Sequence, residues 1–179
     1  MSARMLVKPV ALAALLAVGA CAPMQVHTYV PQGTSLRNHH TYAWAPAGTF
    51  ATGDPRLDNN TLFIEHLQRA VERQLARKGW ATTGGGDADL IIHFHARVDQ
   101  RLDLTDVRGP AGTNEHSSGE PLIYDAGTLL LDFIDARSST LVWRGWAEGS
   151  IDGVIDHLAW LNEKIDAAVA RILATFPAA

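Results

Sequence analysis

The stretch that decides the fold is LIIHFHARVDQRL, residues 90–102. Its even-numbered positions are apolar as far as Val98, and its odd-numbered positions from His93 onward carry imidazole, guanidinium or carboxylate groups. Because successive side chains of a strand point to opposite faces, this alternation predicts a strand with one buried and one solvent-exposed face. Such strands are typical of an open, largely antiparallel sheet and not of a parallel sheet covered on both sides.

Two further β-rich runs follow at residues 128–134 and 141–146, and residues 135–139 between them have the composition of a turn. We therefore predict a hairpin of two central strands. Its register would place Asp132 opposite Arg144 on the solvent-exposed face. There the two residues would form an exposed ion pair, worth roughly 0–1 kcal/mol.

Two segments repeat apolar residues at helical spacing. The first follows N-cap candidates at residues 58–61 and stops at Lys78-Gly79, and the second spans residues 158–176 and stops at Pro177. A short strand is expected at residues 40–44. The resulting order is β-α-β-β-β-α. It predicts an α+β fold, a two-layer sandwich with two helices packed on one face of a mainly antiparallel four-stranded sheet.

The amino-terminal segment has the features of an export signal. Arg4 and Lys8 precede a small apolar run at residues 9–20, which as a helix would extend about 18 Å and so could not span a bilayer. Residues 18–21, Val-Gly-Ala-Cys, resemble the lipobox of bacterial lipoproteins, in which the cysteine is lipidated. We expect cleavage before Cys21 and lipidation of its sulfur and amino group. The alternatives are an ordinary signal peptide with an incidental thiol and a membrane-tethered helix.

The chain therefore divides into a signal peptide at residues 1–20, a lipidated tether at 21–38 and a single domain at 39–179. The polar stretch from Met24 to about Arg37 is typical of a tether or of a first irregular strand. Ala22 occupies the position at which an aspartate would typically retain a lipoprotein in the inner membrane. The resemblance to lipoproteins thus implies a lipid anchor in the outer membrane, on its periplasmic face.

Composition limits the classes of function. The 179 residues are 47% hydrophobic and 19% charged, as expected of a globular domain and not of a disordered chain or a coiled coil. The net charge is −4, and it becomes −6 when Arg4 and Lys8 leave with the signal peptide. This balance provides no basic surface for nucleic acid. With a single cysteine, the fold contains no intrachain disulfide.

The pair His93-x-His95 is the most chemically suggestive motif, because two imidazoles two positions apart on a strand project from one face and could share a metal ion. Further ligands would come from His39, His40, His116 or Asp132. The alternative is a pair of solvated histidines, since a dedicated metal site needs three or four ligands. No other cofactor is expected.

Five tryptophans are many for a chain of this size. Three of them are expected in or beside the core: Trp44, Trp80 and Trp143. Trp146 and Trp160, together with Arg144, are candidates for contact with a partner, because tryptophan and arginine are enriched among the residues that dominate protein interfaces. The alternative for both tryptophans is packing at the edge of the core.

Two remaining segments carry no catalytic signature. Gly84-Gly85-Gly86 lacks the Lys and the Ser or Thr of a phosphate loop. Residues 115–119 contain types used by hydrolases, but they do not form a Gly-x-Ser-x-Gly elbow. The polar stretch at residues 103–121 is long enough for either a functional loop or a loosely ordered one.

Several short motifs occur together along the chain: HTYAW at 40–44, KGW at 78–80, DADL at 87–90, GTL at 127–129, LVWRG at 141–145 and FP at 176–177. In combination they resemble the bacterial lipoprotein family named domain of unknown function 4136, over residues 24–177. The resemblance implies a location and a fold. The family has no established activity, cofactor or catalytic residues that could be carried over.

These observations predict a lipid-anchored periplasmic protein that acts as an interaction or structural module of the cell envelope and not as an enzyme. Its expected partners are the outer membrane, through the lipid, and an envelope protein, with no role for nucleic acid. Binding of a metal or small ligand at the exposed sheet face is the alternative function.

Overall fold

The computed structural model describes residues 24–46, 50–84, 86–103 and 122–179. Within these ranges the chain forms an α+β fold. The strands are β1 (Gln25–Tyr29), β2 (Thr41–Trp44), β3 (Ala81–Thr82), β4 (Leu90–Asp103), β5 (Leu122–Asp135) and β6 (Leu141–Ser150). The helices are α1 (Thr61–Arg77) and α2 (Leu158–Ile172), with a 3₁₀ turn at Leu173–Thr175. The proposed signal peptide, Cys21, Gly85 and loop residues 104–121 lie outside the described residues.

The strands form one mixed sheet in the order β1-β6-β5-β4-β2-β3. β4, β5 and β6 make an antiparallel ladder, and β1 is antiparallel to β6. β2 is parallel to both of its neighbours, β4 and β3. The predicted α+β class is confirmed. The predicted four-stranded, mainly antiparallel sheet was wrong in detail, because six described strands form a sheet with parallel pairs on one side.

The two strands missing from the sequence prediction lie at the edges of the sheet. β1 falls within residues 21–38, the segment assigned to a tether, where an irregular strand was the alternative. Gln25 pairs with Glu148 and Tyr29 with Arg144, so β1 adds to the fold along the full length of the strand. β3 has two residues and continues the sheet beside β2. Both strands are short and mostly exposed, so they form by pairing with β6 and β2 and not because of their own composition.

Both helices pack against the same face of the sheet and run parallel to each other. α1 begins after Asn60, whose side chain accepts a hydrogen bond from the Phe63 N–H. Asp166 of α2 hydrogen-bonds with His66 at 3.0 Å. Lys78, just past α1, donates to the carbonyl of Phe176, just past α2, at 2.7 Å. Neither helix has the length and apolar character needed to cross a membrane.

The predicted buried face of β4 and β5 is confirmed, because Leu90, Ile92, Leu131 and Phe133 have no solvent exposure. Next to them lies an aromatic cluster that closes the core at the carboxyl ends of both helices. Its members are Phe133, Trp143, Phe176 and Trp80, with neighbouring ring centroids 4.2–5.3 Å apart. Trp44 is partly buried and donates to Glu72 of α1 at 2.9 Å. All three tryptophans predicted for the core are therefore in or beside it.

Asp135 closes the turn between β5 and β6, as its sequence position predicts. It accepts hydrogen bonds from the backbone N–H groups of Arg137 and Ser138 at 3.0 and 2.7 Å. Its other carboxylate oxygen lies 2.8 Å from Nε2 of His39. The contact with His39, followed by the bonds to Ser138, holds the pKa of Asp135 well below its usual range. The turn is thus fastened to the segment that precedes β2.

At Gly145 of β6 the helix layer and the sheet leave no room for a side chain. A Cβ at this position would lie 2.2 Å from Cη2 of Trp143 and 2.7 Å from Cγ2 of Ile172. Both neighbours are almost fully buried, so neither has open space to move into. Gly149 projects toward the same side of β6, but its nearest neighbour, Cα of Met24, would be 3.6 Å away.

We expect Gly145→Ala to destabilise the domain by about 1–3 kcal/mol, because the methyl group overpacks a core without voids at that point. Gly149→Ala is the matched control on the same strand, and its cost should stay below about 0.5 kcal/mol. Urea unfolding followed by tryptophan fluorescence measures both values. Equal stabilities of the two variants would contradict the close packing at Gly145.

Candidate interaction face

Neither helix covers the second face of the sheet, which we call the open face. Its side chains alternate with the buried ones along four strands and are aligned in rows by the ladders. The residues of the open face include Gln25, His27, Tyr29, Glu148, Trp146, Arg144, Thr128, Leu130, Asp132, Arg101, Asp99, Arg97, His95 and His93. Aromatic, imidazole and guanidinium groups predominate among them.

One row of side chains crosses the middle of the open face. His27 of β1 stacks on Trp146 of β6, with ring centroids 5.1 Å apart. Trp146 pairs with Leu130 of β5, and Leu130 pairs with His95 of β4. The row therefore has an aromatic and apolar centre with an exposed imidazole at each end. A strip of this kind can pack against an apolar surface while its ends stay hydrated.

The adjacent row contains a bidentate ion pair. Nε and Nη2 of Arg144 donate to the two carboxylate oxygens of Asp132 at 2.6 and 2.7 Å, and the ladder places the two residues opposite each other. The predicted register is confirmed. The predicted exposure was wrong, because Asp132 is only 6% exposed and its carboxylate is buried beneath the guanidinium. Hydrogen bonding to Asp132 raises the pKa of Arg144.

The other two arginines on the described part of the open face are also paired with carboxylates. Nε of Arg97 lies 2.8 Å from Asp99, and Nη2 of Arg101 lies 3.0 Å from Glu148. Every arginine of this surface thus has an acidic neighbour. The open face therefore offers little excess positive charge to an anionic ligand or a phosphate backbone.

His93 and His95, the predicted metal ligands, both lie on the open face, two residues apart on β4. Asp132 stands opposite His93 in the ladder, but both of its oxygens accept hydrogen bonds from Arg144. Within residues 24–46, 50–84, 86–103 and 122–179, no three His, Cys, Asp or Glu side chains lie close enough to hold a metal ion.

The other histidines considered as metal ligands do not join this pair. His39 binds Asp135 at the turn between β5 and β6. The backbone N–H of His40 donates to Asp89 at 2.9 Å, next to the start of β2. His116 lies outside the described residues. The two-histidine motif therefore gains no third ligand from the part of the chain that the structure describes.

The predicted partner-contact residues fall on two separate surfaces. Trp146 and Arg144 are two residues apart on the open face, whereas Trp160 is 56% exposed on α2, in the helix layer. Sequence reasoning missed His27 and Tyr29, the contributions of β1. Their signal was the alternation in residues 25–29, where Val26 points to the helix side and the odd positions point to the open face.

A cavity of about 70 Å³ lies between the helices and the sheet. Its walls are almost entirely apolar and include Phe63, Leu129 and Ile165. Cofactor and ligand pockets usually measure about 300–1,000 Å³ and contain a few convergent polar groups. This cavity is therefore too small and too apolar for such a ligand.

A wider groove of about 780 Å³ runs between β4 and residues 50–53. Trp44, Phe50 and Phe94 supply apolar walls, and His93 and His95 border the groove on the strand side. The groove is large enough for a small ligand. It lies along the edge of β4, where Ile64 and Gln68 of α1 also line it, and it is the place where the alternative function of small-ligand binding would find room.

Two comparisons concern the sequence. The sequence profile of the family described as "Domain of unknown function (DUF4136)" matches residues 26–178. The matched region includes both helices and nearly all of the described sheet. No curated protein shows a significant match to this sequence.

Two solved structures have a similar fold. A DUF4136 family protein from Bacteroides thetaiotaomicron has a TM-score of 0.52 at 10% identity and covers 83% of this chain and 95% of its own. A PDZ domain protein from Parabacteroides distasonis has a TM-score of 0.56 at 17% identity and covers 87% of this chain. This chain spans only 36% of the length of the second protein. At these identities the similarity shows the fold alone.

Arg144→Met should lower the free energy of unfolding by about 2–3 kcal/mol, because it leaves the buried Asp132 carboxylate without its two hydrogen bonds. Adding Asp132→Leu should restore most of this loss. Arg69→Met is the control; it removes the exposed pair with Glu65 and should cost less than about 0.5 kcal/mol. Urea unfolding at neutral pH gives all three values. If the two substitutions lowered the free energy of unfolding by similar amounts, burial of Asp132 would not contribute to the stability of the domain.

Proposed function

The chain belongs to the DUF4136 family, and we propose that it is a membrane-anchored periplasmic lipoprotein whose open face docks another protein of the cell envelope. The function consists of binding, with no chemical turnover. The observation that carries the proposal is the open face itself, a side of the sheet that neither helix covers and that concentrates Trp, Tyr, His and Arg side chains.

The anchor is the lipid on Cys21. Two or more acyl chains hold a protein on a membrane stably, whereas one chain gives only marginal binding. Ala22 in place of an aspartate supports sorting to the outer membrane. Such an anchor keeps the domain beside other proteins of the same membrane and raises its effective concentration for them. A modest affinity of the open face is then sufficient for a lasting complex.

The chemistry of the open face favours a protein as the partner. Trp146 with the stacked His27 and the neighbouring Leu130 provide an apolar strip, and exposed Tyr29 extends the aromatic surface. Large aromatic residues and arginine are the groups that most often dominate protein interfaces. Pairing of the arginines with carboxylates argues against an anion as the ligand. The Arg144–Asp132 pair would present fixed hydrogen-bonding groups at the border of the strip.

The anchor can be tested in cells by labelling with radioactive palmitate and separating the two membranes on a density gradient. We expect label on the unmodified protein and recovery in the outer membrane. Cys21→Ala should lose the label, because the acceptor sulfur is gone. Ala22→Asp is the control; it should keep the label and move to the inner membrane. A labelled Cys21→Ala protein would exclude lipidation at this residue.

Docking on the open face can be tested with a photo-crosslinking amino acid placed at His95 or Thr128 in the full chain. We expect both positions to give a covalent adduct with the same envelope protein. Arg69, exposed on α1, is the control position and should give none. Trp146→Ser should weaken the adduct at His95 at least about tenfold, because a central aromatic contact is worth upward of 1.4 kcal/mol.

Two results would contradict docking on the open face. One is an adduct of equal strength at Arg69 and His95. The other is an unchanged adduct in the Trp146→Ser protein, provided that its thermal unfolding remains cooperative and close to that of the unmodified chain.

A further inference from the structure

We propose that one end of the domain rests on the lipid bilayer, so that the acyl anchor is not its only contact with the membrane. This end, which we call the apolar end, contains the first turns of both helices, the last residues of β4 up to Asp103 and the first residues of β5 from Leu122. Its exposed residues are Leu62, Leu102, Ile123, Leu158 and Trp160. The inference rests on the proposed lipid anchor and adds the orientation of the domain.

The fold brings these elements to one end. β4 and β5 stay paired as far as Asp103 and Leu122, well beyond Ser150, where β6 ends opposite Ala126. α2 follows β6 after residues 151–157, so it begins at the end to which paired β4 and β5 project. α1 runs parallel to α2, and therefore its first turn lies at the same end.

Exposed apolar side chains are concentrated at the apolar end. Seven large hydrophobic residues of the described chain are more than half exposed, and five of them belong to this end. The other two, Tyr29 and Val30, follow one another where β1 leaves the sheet, farther toward the opposite end. Single exposed hydrophobic residues are normal on soluble proteins, but their concentration in one region marks a contact with an apolar partner.

Trp160 has the surroundings of an interfacial tryptophan. It is 56% exposed in the first turn of α2, and the ring of His157 packs against it with centroids 4.4 Å apart. Tryptophan is enriched at the boundary between hydrocarbon and water, because its ring is apolar and its N–H remains hydrated. Leu158, in the same turn, adds an aliphatic side chain that is also more than half exposed.

The position of the proposed anchor favours a lipid bilayer as the partner of the apolar end. Gln25 begins β1 opposite Glu148, and Met24 packs on Gly149, near the end of β6 beyond which β4 and β5 project. Cys21 is three residues before Met24, so three residues of chain limit the distance between their Cα atoms to about 11 Å at most. The acyl chains would therefore enter the membrane beside the apolar end.

Among the described residues, the pairing of the arginines at this end favours apolar contact over attraction to anionic lipid. Arg56 is bound by Asp54 and Asp156, and Arg101 is bound by Glu148. A surface that binds acidic lipid headgroups needs unpaired lysines or arginines. The contact should therefore form on zwitterionic lipid and persist at high salt.

This orientation determines where the open face points. Leu102 lies nine residues along β4 from His93, which corresponds to about 30 Å of strand. With Leu102 at the bilayer, β4 leads away from the membrane and the open face is turned sideways. The face would thus meet proteins that stand beside this one on the same membrane.

The test uses the full lipidated protein in phosphatidylcholine vesicles. The chain contains one cysteine, so when Cys21 is acylated an introduced cysteine is the only thiol open to a fluorescent label. Labels at Leu102→Cys and Leu158→Cys probe the apolar end, and a label at Tyr29→Cys is the control of similar exposure. We expect a quencher attached to the lipid acyl chains to act at least about threefold more strongly on the first two labels, in low and high salt.

Equal and weak quenching of all three labels would overturn the membrane contact while leaving the anchor intact. Quenching that disappears at low protein density, with fluorescence transfer between labelled copies at high density, would overturn it in favour of a second copy as the partner. Labelling of the unmodified protein would show a free thiol at Cys21, and would overturn the anchor together with the contact that rests on it.

Discussion

The structure depends on the alternation of side chains along β4: its apolar row must be buried, and its polar row must stay in contact with water. Leu90 and Ile92 lose all contact with solvent only if a second layer covers that side, and α1 and α2 supply this layer. Gly145 allows the helix layer to come close enough, since any side chain at this position would meet Trp143 and Ile172. The polar row on the other side then has no cover from either helix, and the open face is the direct result of the same alternation.

Much of this arrangement could be predicted from the sequence, because the strongest signals are periodic and local. The alternation in residues 90–102, the helical repeats and the turn at Asp135 identified three strands and both helices, and the aromatic and β-branched content of residues 40–44 identified a fourth strand. β1 was assigned to a tether because five residues with one apolar position carry little signal before their partner β6 is known. The parallel pairing of β2 with β4 was missed although the predicted helix between them is the usual crossover of parallel strands, because the one-sided alternation of β4 was taken to indicate an antiparallel sheet.

The residues of the candidate site were predicted in part. The register that joins Asp132 to Arg144 follows from the hairpin, but the burial of the carboxylate beneath the guanidinium depends on side-chain packing, which the register does not determine. Trp146 and Trp160 occupy opposite layers, as expected from the predicted strand at residues 141–146 and the predicted helix at residues 158–176. His93 and His95 lie where the alternation predicts, while the further ligands considered for them depend on tertiary neighbours that spacing alone does not determine.

The place of β1 in the sheet has a mechanical consequence. Gln25–Tyr29 runs antiparallel to β6 and joins it by backbone hydrogen bonds along its whole length. A pull on the chain ahead of Gln25 acts along the axis of this strand, so the bonds are loaded together and must yield together instead of opening one after another. Force on a tether attached at that point would therefore load the β1–β6 hydrogen bonds in shear. The five residues of β1 would transmit this force to the rest of the sheet.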